Sequence, residues 1–169
     1  MIELLILFEL NRKILTMYGV SKSIKEDFSA FTAPSYGTIK PALKRLEAGG
    51  FVRTQKEMSK GGRPSVYYSI TDSGARELKR LLLIPPLDNP VKFLTASRIK
   101  LVCADILDKD EQKDLLRQLK TKAENILVDA KNMMNRDLSY YPRMVFDNLM
   151  CEYENLITLI EGFERACSR

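Results

Sequence analysis

Two adjacent prolines, Pro85 and Pro86, limit what this chain can fold into more than any other feature. Neither has an N–H to donate, and each drives the residue before it away from helical dihedrals, so no helix crosses them. Leu87-Asp88-Asn89-Pro90 then reads as a turn into a new helix. The 169 residues are thereby divided into a front region, 1–84, of short mixed segments and a back region, 85–169, that is helical in pattern almost throughout. That length suits one ordinary domain, or a small domain with an appendage. A hydrophobic share of 45% and a charged share of 29% are globular values.

Local signals order the front region. Ile2 to Arg12 is apolar densely enough for a helix buried on most sides. Tyr18-Gly19 breaks that pattern, and Ser21 is placed to cap a second helix to about Phe28. A turn from Thr32 to Ser35 holds Pro34, and a third helix runs from about Ser35 to Ala48, ended by Gly49-Gly50. Phe51 to Glu57 and Val66 to Thr71 read as strands joined by the polar loop 58–65. Thr71 caps a fourth helix to about Leu83, with Asp72 in its first turn. This order of elements is that of a winged helix-turn-helix. The expected fold class is mostly α with a small β-hairpin, a winged helix-turn-helix domain over 1–84 followed by an all-helical region.

At 100° per residue, Ile39, Ala42, Leu43 and Leu46 share a narrow arc of the third helix and face the core. Gly37, Pro41, Lys44 and Ala48 lie opposite, flanked by Lys40 and Arg45. Cations among very small residues suit a helix entering the roughly 12 Å DNA major groove, where bulky apolar groups would hold it off the bases. Ser35, Tyr36 and Thr38 stand at the entrance of this helix. Pro41 costs a backbone hydrogen bond if Ser35 is the cap and sits in the first turn if Thr38 is. In the loop, Lys60 and Arg63 flank Gly61-Gly62, a tight tip that brings cations to a phosphate backbone or a minor groove. Lys22 and Lys25 on the second helix are further phosphate candidates. Alternation along the second strand makes one of Tyr67 and Tyr68 core and the other exposed, and Tyr67 is the candidate donor to phosphate.

The charge supports this division. Residues 1–84 carry 14 Lys/Arg against 8 Asp/Glu, a net of +6, and residues 85–169 carry 13 against 14, a net of −1, which together give the chain's +5. A polyanion is expected to meet the front region alone. The absence of histidine removes Ser-His and Cys-His nucleophile pairs and every His-containing zinc site. The three cysteines, Cys103, Cys151 and Cys167, lack CxxC spacing, so neither a disulfide framework nor a thiolate metal cluster is expected. No catalytic residue, cofactor or metal is assigned, and the chain is not read as an enzyme. Met1 to Leu10 is interrupted by Glu3 and Glu9 and no small-residue cleavage site follows, so it is not read as a signal peptide. With no run of roughly 18–20 apolar residues, no membrane partner is expected, and a reducing cytoplasm is the simplest location.

The stretch from Gly37 to Val52 is similar to the recognition-helix segment of the PadR family of bacterial transcriptional regulators. Gly62 to Gly74 resembles that family's wing and the Thr-x-x-Gly helix start that follows it, here Thr71 to Gly74. The resemblance covers about residues 2–84. Two positions depart from it: Lys40 stands where the family usually has tyrosine, and the family's Gly-Tyr pair appears as Tyr18-Gly19. The resemblance implies a homodimeric repressor, usually released from DNA by a small, often aromatic, effector. It also implies that the helical back region is the extended dimerisation region of the larger members.

The back region carries its own signal. Asn89-Pro90 opens a helix to about Leu107, and Asp108 with Glu111 forms a near capping box for a longer one. Leu116, Leu119, Ala123, Ile126, Ala130 and Met133 keep alternating three- and four-residue steps. Beyond Tyr140-Tyr141-Pro142 the steps recur at Phe146, Leu149, Tyr153, Leu156, Ile160 and Phe163. A 3.5-residue repeat on two successive helices signals coiled-coil-like packing. Pairing across a two-fold axis would bury both stripes, and these residues, the two alanines aside, are the candidates for dimerisation. The other reading is an antiparallel hairpin that packs on itself. Met133, Met134, Tyr140, Tyr141, Met144 and Phe146 read as ordinary core before they read as an effector site, with Arg136 and Arg143 near enough to meet a carboxylate. Cys103 and Cys151 are expected in the core and Cys167 near a frayed end.

The expected function is a sequence-specific, double-stranded-DNA-binding transcriptional regulator, with itself and a small molecule as its other partners. The alternative is a winged-helix module that binds another protein and never touches DNA.

Overall fold

The front of the chain folds around its first helix, α1 (Ile2–Arg12), which is apolar on nearly every side. Leu4, Leu5, Ile6, Leu7 and Leu10 are all at most 3% exposed, and α2, α3, α4 and the sheet pack around them. The computed structural model describes residues 1–58, 64–85 and 89–167 and separates into two units, Met1–Ile84 and Pro85–Arg169. Within the apolar surround of α1, Glu9 is fully buried and accepts a hydrogen bond from Ser23 Oγ at 2.5 Å. Burial pushes its carboxyl pKa up, against the pull of that hydrogen bond.

Two boundaries differ from the expectation. Tyr18-Gly19 does not break a helix but lies inside α2 (Met17–Phe28), and the cap is Thr16, whose hydroxyl accepts from the Gly19 N–H at 3.1 Å, rather than Ser21. Just before it a two-residue strand, β1 (Leu15–Thr16), pairs with the second wing strand. The hairpin β2 (Val52–Met58) and β3 (Pro64–Ile70) is therefore part of a three-stranded antiparallel sheet, ordered β1-β3-β2. So short a strand has no periodicity to read, which hid it in the sequence. Being central, β3 has both its tyrosines half-buried, not one in the core and one outside.

α3 (Tyr36–Ala48) runs as expected, with Ser35 at its cap position, which puts Pro41 in the second turn. At its end the Gly50 N–H donates to Glu47 O and the Phe51 N–H to Leu46 O, both at 2.9 Å. This is a Schellman ending, which requires the left-handed backbone that Gly50 adopts at φ 71°. α4 (Asp72–Leu83) then docks on this corner. The Thr71 and Ser73 hydroxyls both donate to Gly50 O at 2.8 Å, and the Thr71 hydroxyl also accepts from the Gly74 N–H at 3.0 Å. A Cβ on Gly74 would stand 2.0 Å from the Phe51 carbonyl oxygen, so only glycine permits this approach.

The second unit holds α5 (Pro90–Val102), a 3-10 turn (Ala104–Ile106), α6 (Lys109–Met134) and α7 (Tyr140–Cys167). Asn89 caps α5, and Asp108 and Glu111 complete the capping box of α6. α5 ends at Val102, earlier than the expected Leu107, because the 3-10 turn takes over before the Asp108 cap. α6 and α7 pack antiparallel, with Lys120 bridging to Glu161 at 3.0 Å and Lys131 to Glu154 at 4.0 Å.

The two apolar stripes face inward, which corrects the dimerisation reading for most of its residues. Leu116, Leu119, Ile126, Tyr153, Leu156 and Ile160 are at most 8% exposed in a single chain. Met133, Phe146 and Leu149 are half-buried, and Phe163 is exposed. One chain thus builds its own core here: Tyr153 stacks on Phe93 with centroids 6.3 Å apart, and its hydroxyl donates to Pro90 O at 3.0 Å. The expected aromatic core near the α6–α7 turn is also corrected. Tyr140 and Tyr141 are 70% and 80% exposed and touch edge to face, and Met144 is exposed as well. Cys103 is buried as expected, but Cys151 is exposed.

Candidate nucleic-acid interface

Four buried residues set how α3 is presented. Ile39, Ala42, Leu43 and Leu46 are at most 2% exposed, so Gly37, Pro41, Lys44 and Ala48 necessarily face out. With no N–H of its own, Pro41 leaves the Gly37 carbonyl without its usual helical partner on that outward face. The Ser35 side chain makes no cap bond and lies 3.2 Å from the Thr38 hydroxyl. The positive end of the helix is thus presented to an anion rather than closed by a side chain.

Two grooves flank α3. One, of about 450 Å³, is lined by Lys40, Lys44 and Glu47 from α3, by Thr16, Met17 and Tyr18 at the start of α2, and by Ser65, Val66 and Tyr68 from β3. The other, of about 540 Å³, brings Tyr36 beside Tyr18, Ser21, Lys22, Lys25 and Glu26. The sequence-derived residues are therefore gathered as two sets, Lys40 with Lys44 toward the sheet and Lys22, Lys25 and Tyr36 along α2.

Two others, Arg45 and Tyr67, stand elsewhere. Arg45 lies on the flank of α3 toward α1, where its Nε donates to Glu3 Oε1 at 2.8 Å. Part of its charge is thus neutralised at rest. Tyr67 is replaced in the groove by Tyr68, its neighbour on the opposite face of β3. Burial first, then the Glu47 carboxylate, raise the Tyr68 pKa, so its hydroxyl stays a donor at neutral pH. Lys60 and Arg63 lie outside the described residues. Two acidic groups temper the cations: Glu26 sits 3.7 Å from Lys22, and Glu47 accepts from the Thr54 hydroxyl at 2.7 Å.

Sequence reasoning missed Tyr18. It is 67% exposed and lines both grooves, the only one of the described residues shared by these two. The usable signal was Thr16, whose position three residues before Gly19 fits a cap and would have put Tyr18 in the first turn of α2. Among the described residues no group of three or more acidic or cysteine side chains could hold a metal ion.

A winged helix-turn-helix with a cationic, small-residue helix between two grooves is the architecture of Met1–Ile84. Residues 6–80 match the Transcriptional regulator PadR-like family, and the chain belongs to it. It is 24% identical over 157 residues, 92% of this chain and 84% of that one, to the negative transcriptional regulator PadR of Bacillus subtilis (strain 168). Similar solved structures include a PadR family transcription regulator from hypervirulent Clostridium difficile R20291, 31% identical over 46% of this chain and 79% of that one, with a TM-score of 0.41. Bacillus subtilis PadR in complex with operator DNA is 21% identical over 98% of each chain, with a TM-score of 0.45.

Proposed function

We propose that this transcriptional regulator is a homodimeric repressor that binds double-stranded DNA sequence-specifically and is released by a small, aromatic effector. The observation that carries the reading is the outward face of α3. Lys40 and Lys44 stand among Gly37, Pro41 and Ala48 beside an open groove, so the helix can approach base edges while its cations meet phosphates. Lys22, Lys25, Ser35, Tyr36 and Thr38 serve phosphates at the start of the helix, and Tyr18 and Tyr68 join them from the groove walls. Membership of a family of transcriptional regulators supports the regulatory role, and a relative named as a negative regulator supports repression. The effector rests on the family resemblance alone.

In this reading the winged unit, 1–84, meets DNA and the helical region, 85–169, pairs two chains. With the inner stripe of α7 already covered, the pairing surface is its outer one. Tyr141, Val145, Asn148, Cys151, Asn155 and Leu159 are exposed, uncharged and spaced by three or four residues, with exposed Met144 at their edge. The face carries one charged side chain, the half-buried Glu152, so like-charge repulsion between two copies is small, and Asn148 and Asn155, one heptad apart, suit a register-setting role. Sedimentation of the chain with a labelled operator duplex tests this: two chains per duplex are expected, and Val145→Glu should shift the free protein toward monomer. One chain per duplex, or a dimer indifferent to Val145→Glu, would contradict the pairing surface.

A further inference from the structure

The apolar seam between α6 and α7 fails to close at one end. Tyr153, Leu156 and Ile160 are 0–4% exposed, yet Phe163, the next member of the same stripe, is 41% exposed. The cause is the corner where α5 gives way to the 3-10 turn and α6 begins. Leu101, Ala104 and Leu116 stand back from Phe163 and leave a cavity of about 280 Å³, also lined by Ala166 and Cys167. Gln112 forms its polar wall. The Gln112 Nε2 donates to Ala104 O at 3.3 Å and to Leu107 O at 3.0 Å, and its Oε1 accepts from Cys167 Sγ at 3.3 Å. Both amide hydrogens are thus committed to the corner, which fixes the side chain, while its carbonyl oxygen keeps a second lone pair. The two charged lining groups, Asp105 and Lys109, are exposed and of opposite sign, so the cavity has no net charge to attract an ion.

We propose that this cavity binds a small, uncharged aromatic molecule of one or two rings carrying a single N–H or O–H donor. The rings displace water from Leu101, Leu116 and Phe163, and the donor meets the open lone pair of Gln112 Oε1. The volume lies at the small end of ligand sites, which run from roughly 300 to 1,000 Å³, and so excludes cofactor-sized molecules. The site lies wholly within the second unit, and its occupancy is read without DNA present.

Indole is the probe, because the chain has no tryptophan and indole emission is read against tyrosine alone. Titration should give a saturable blue shift at one indole per chain. Ala166→Phe, an exposed position at which the larger ring fills the cavity, should weaken binding at least tenfold while helix content and Tm stay unchanged. 1-Methylindole, which lacks the N–H, should bind about fivefold more weakly. Bound indole should slow alkylation of Cys167 severalfold and leave Cys151, which is not among the lining residues, at its original rate. An unsaturable signal, equal affinity in Ala166→Phe, equal affinity for 1-methylindole, or equal protection of both cysteines would overturn the proposal.

Discussion

At the end of α3 the first unit turns on a single residue, Gly50 at φ 71°, and locks that turn by seating Gly74 against the Phe51 carbonyl. Among the described residues the second unit has no such glycine corner. α6 and α7 are held by apolar side chains distributed along both helices and by bridges at Lys120 and Lys131. The first unit is therefore specified at points and the second along a line. Damage at a point should be abrupt, and damage along a line graded.

The largest effect is expected at the corner. In Gly74→Val the new side chain cannot avoid the backbone of Phe51, and the loss should be on the order of 4 kcal/mol, beyond the roughly 1–3 kcal/mol of ordinary overpacking. Leu119→Ala, which opens the seam, should cost about 3 kcal/mol. Thermal denaturation followed by circular dichroism compares the two, and a Gly74→Val loss below that of Leu119→Ala would break the contrast between corner and seam.

Next come the recognition-helix cations. Lys44→Ala should weaken operator binding about tenfold, near 1.4 kcal/mol, while leaving the dimer intact. Arg45→Ala should cost only about twofold, because Glu3 already holds that guanidinium. Equal losses in a binding titration would mean that Arg45 leaves Glu3 to contact DNA.

The smallest effect concerns pH. Burial raises the Glu9 pKa in the fold above its ordinary 4.5, so folding favours the protonated carboxyl. The stabilisation from this group is full below the ordinary pKa and is lost as pH rises through the raised one. Glu9→Gln, which can keep the Ser23 contact without a charge, should gain stability relative to the parent as pH climbs from 4.5 toward neutrality. Parallel stability curves for the two proteins over that range would contradict a shifted Glu9.

The same contrast explains what was legible in the sequence. Caps and glycines are local, so Thr71, Asp108 with Glu111, and Gly49-Gly50 could be read one residue at a time, and the outward face of α3 followed from four apolar positions. β1 was not legible, because two residues carry no period and its partner lies about fifty residues away. Nor did the 3.5-residue stripes reveal what covers them, since an intrachain hairpin and a dimer bury the same pattern. Tyr18 was hidden by the glycine beside it, and the Arg45–Glu3 pair by the 42 residues between its partners.

The central claim, that the α3 face recognises DNA, is tested most directly by titrating the purified chain onto labelled DNA from upstream of its own coding region. The titration is run at two salt concentrations against a scrambled competitor, with Lys44→Ala alongside. Tight binding that survives the competitor, falls steeply with salt and weakens in Lys44→Ala is the predicted result. No binding even at low salt, or binding competed equally by the scrambled duplex and unchanged in Lys44→Ala, would contradict it.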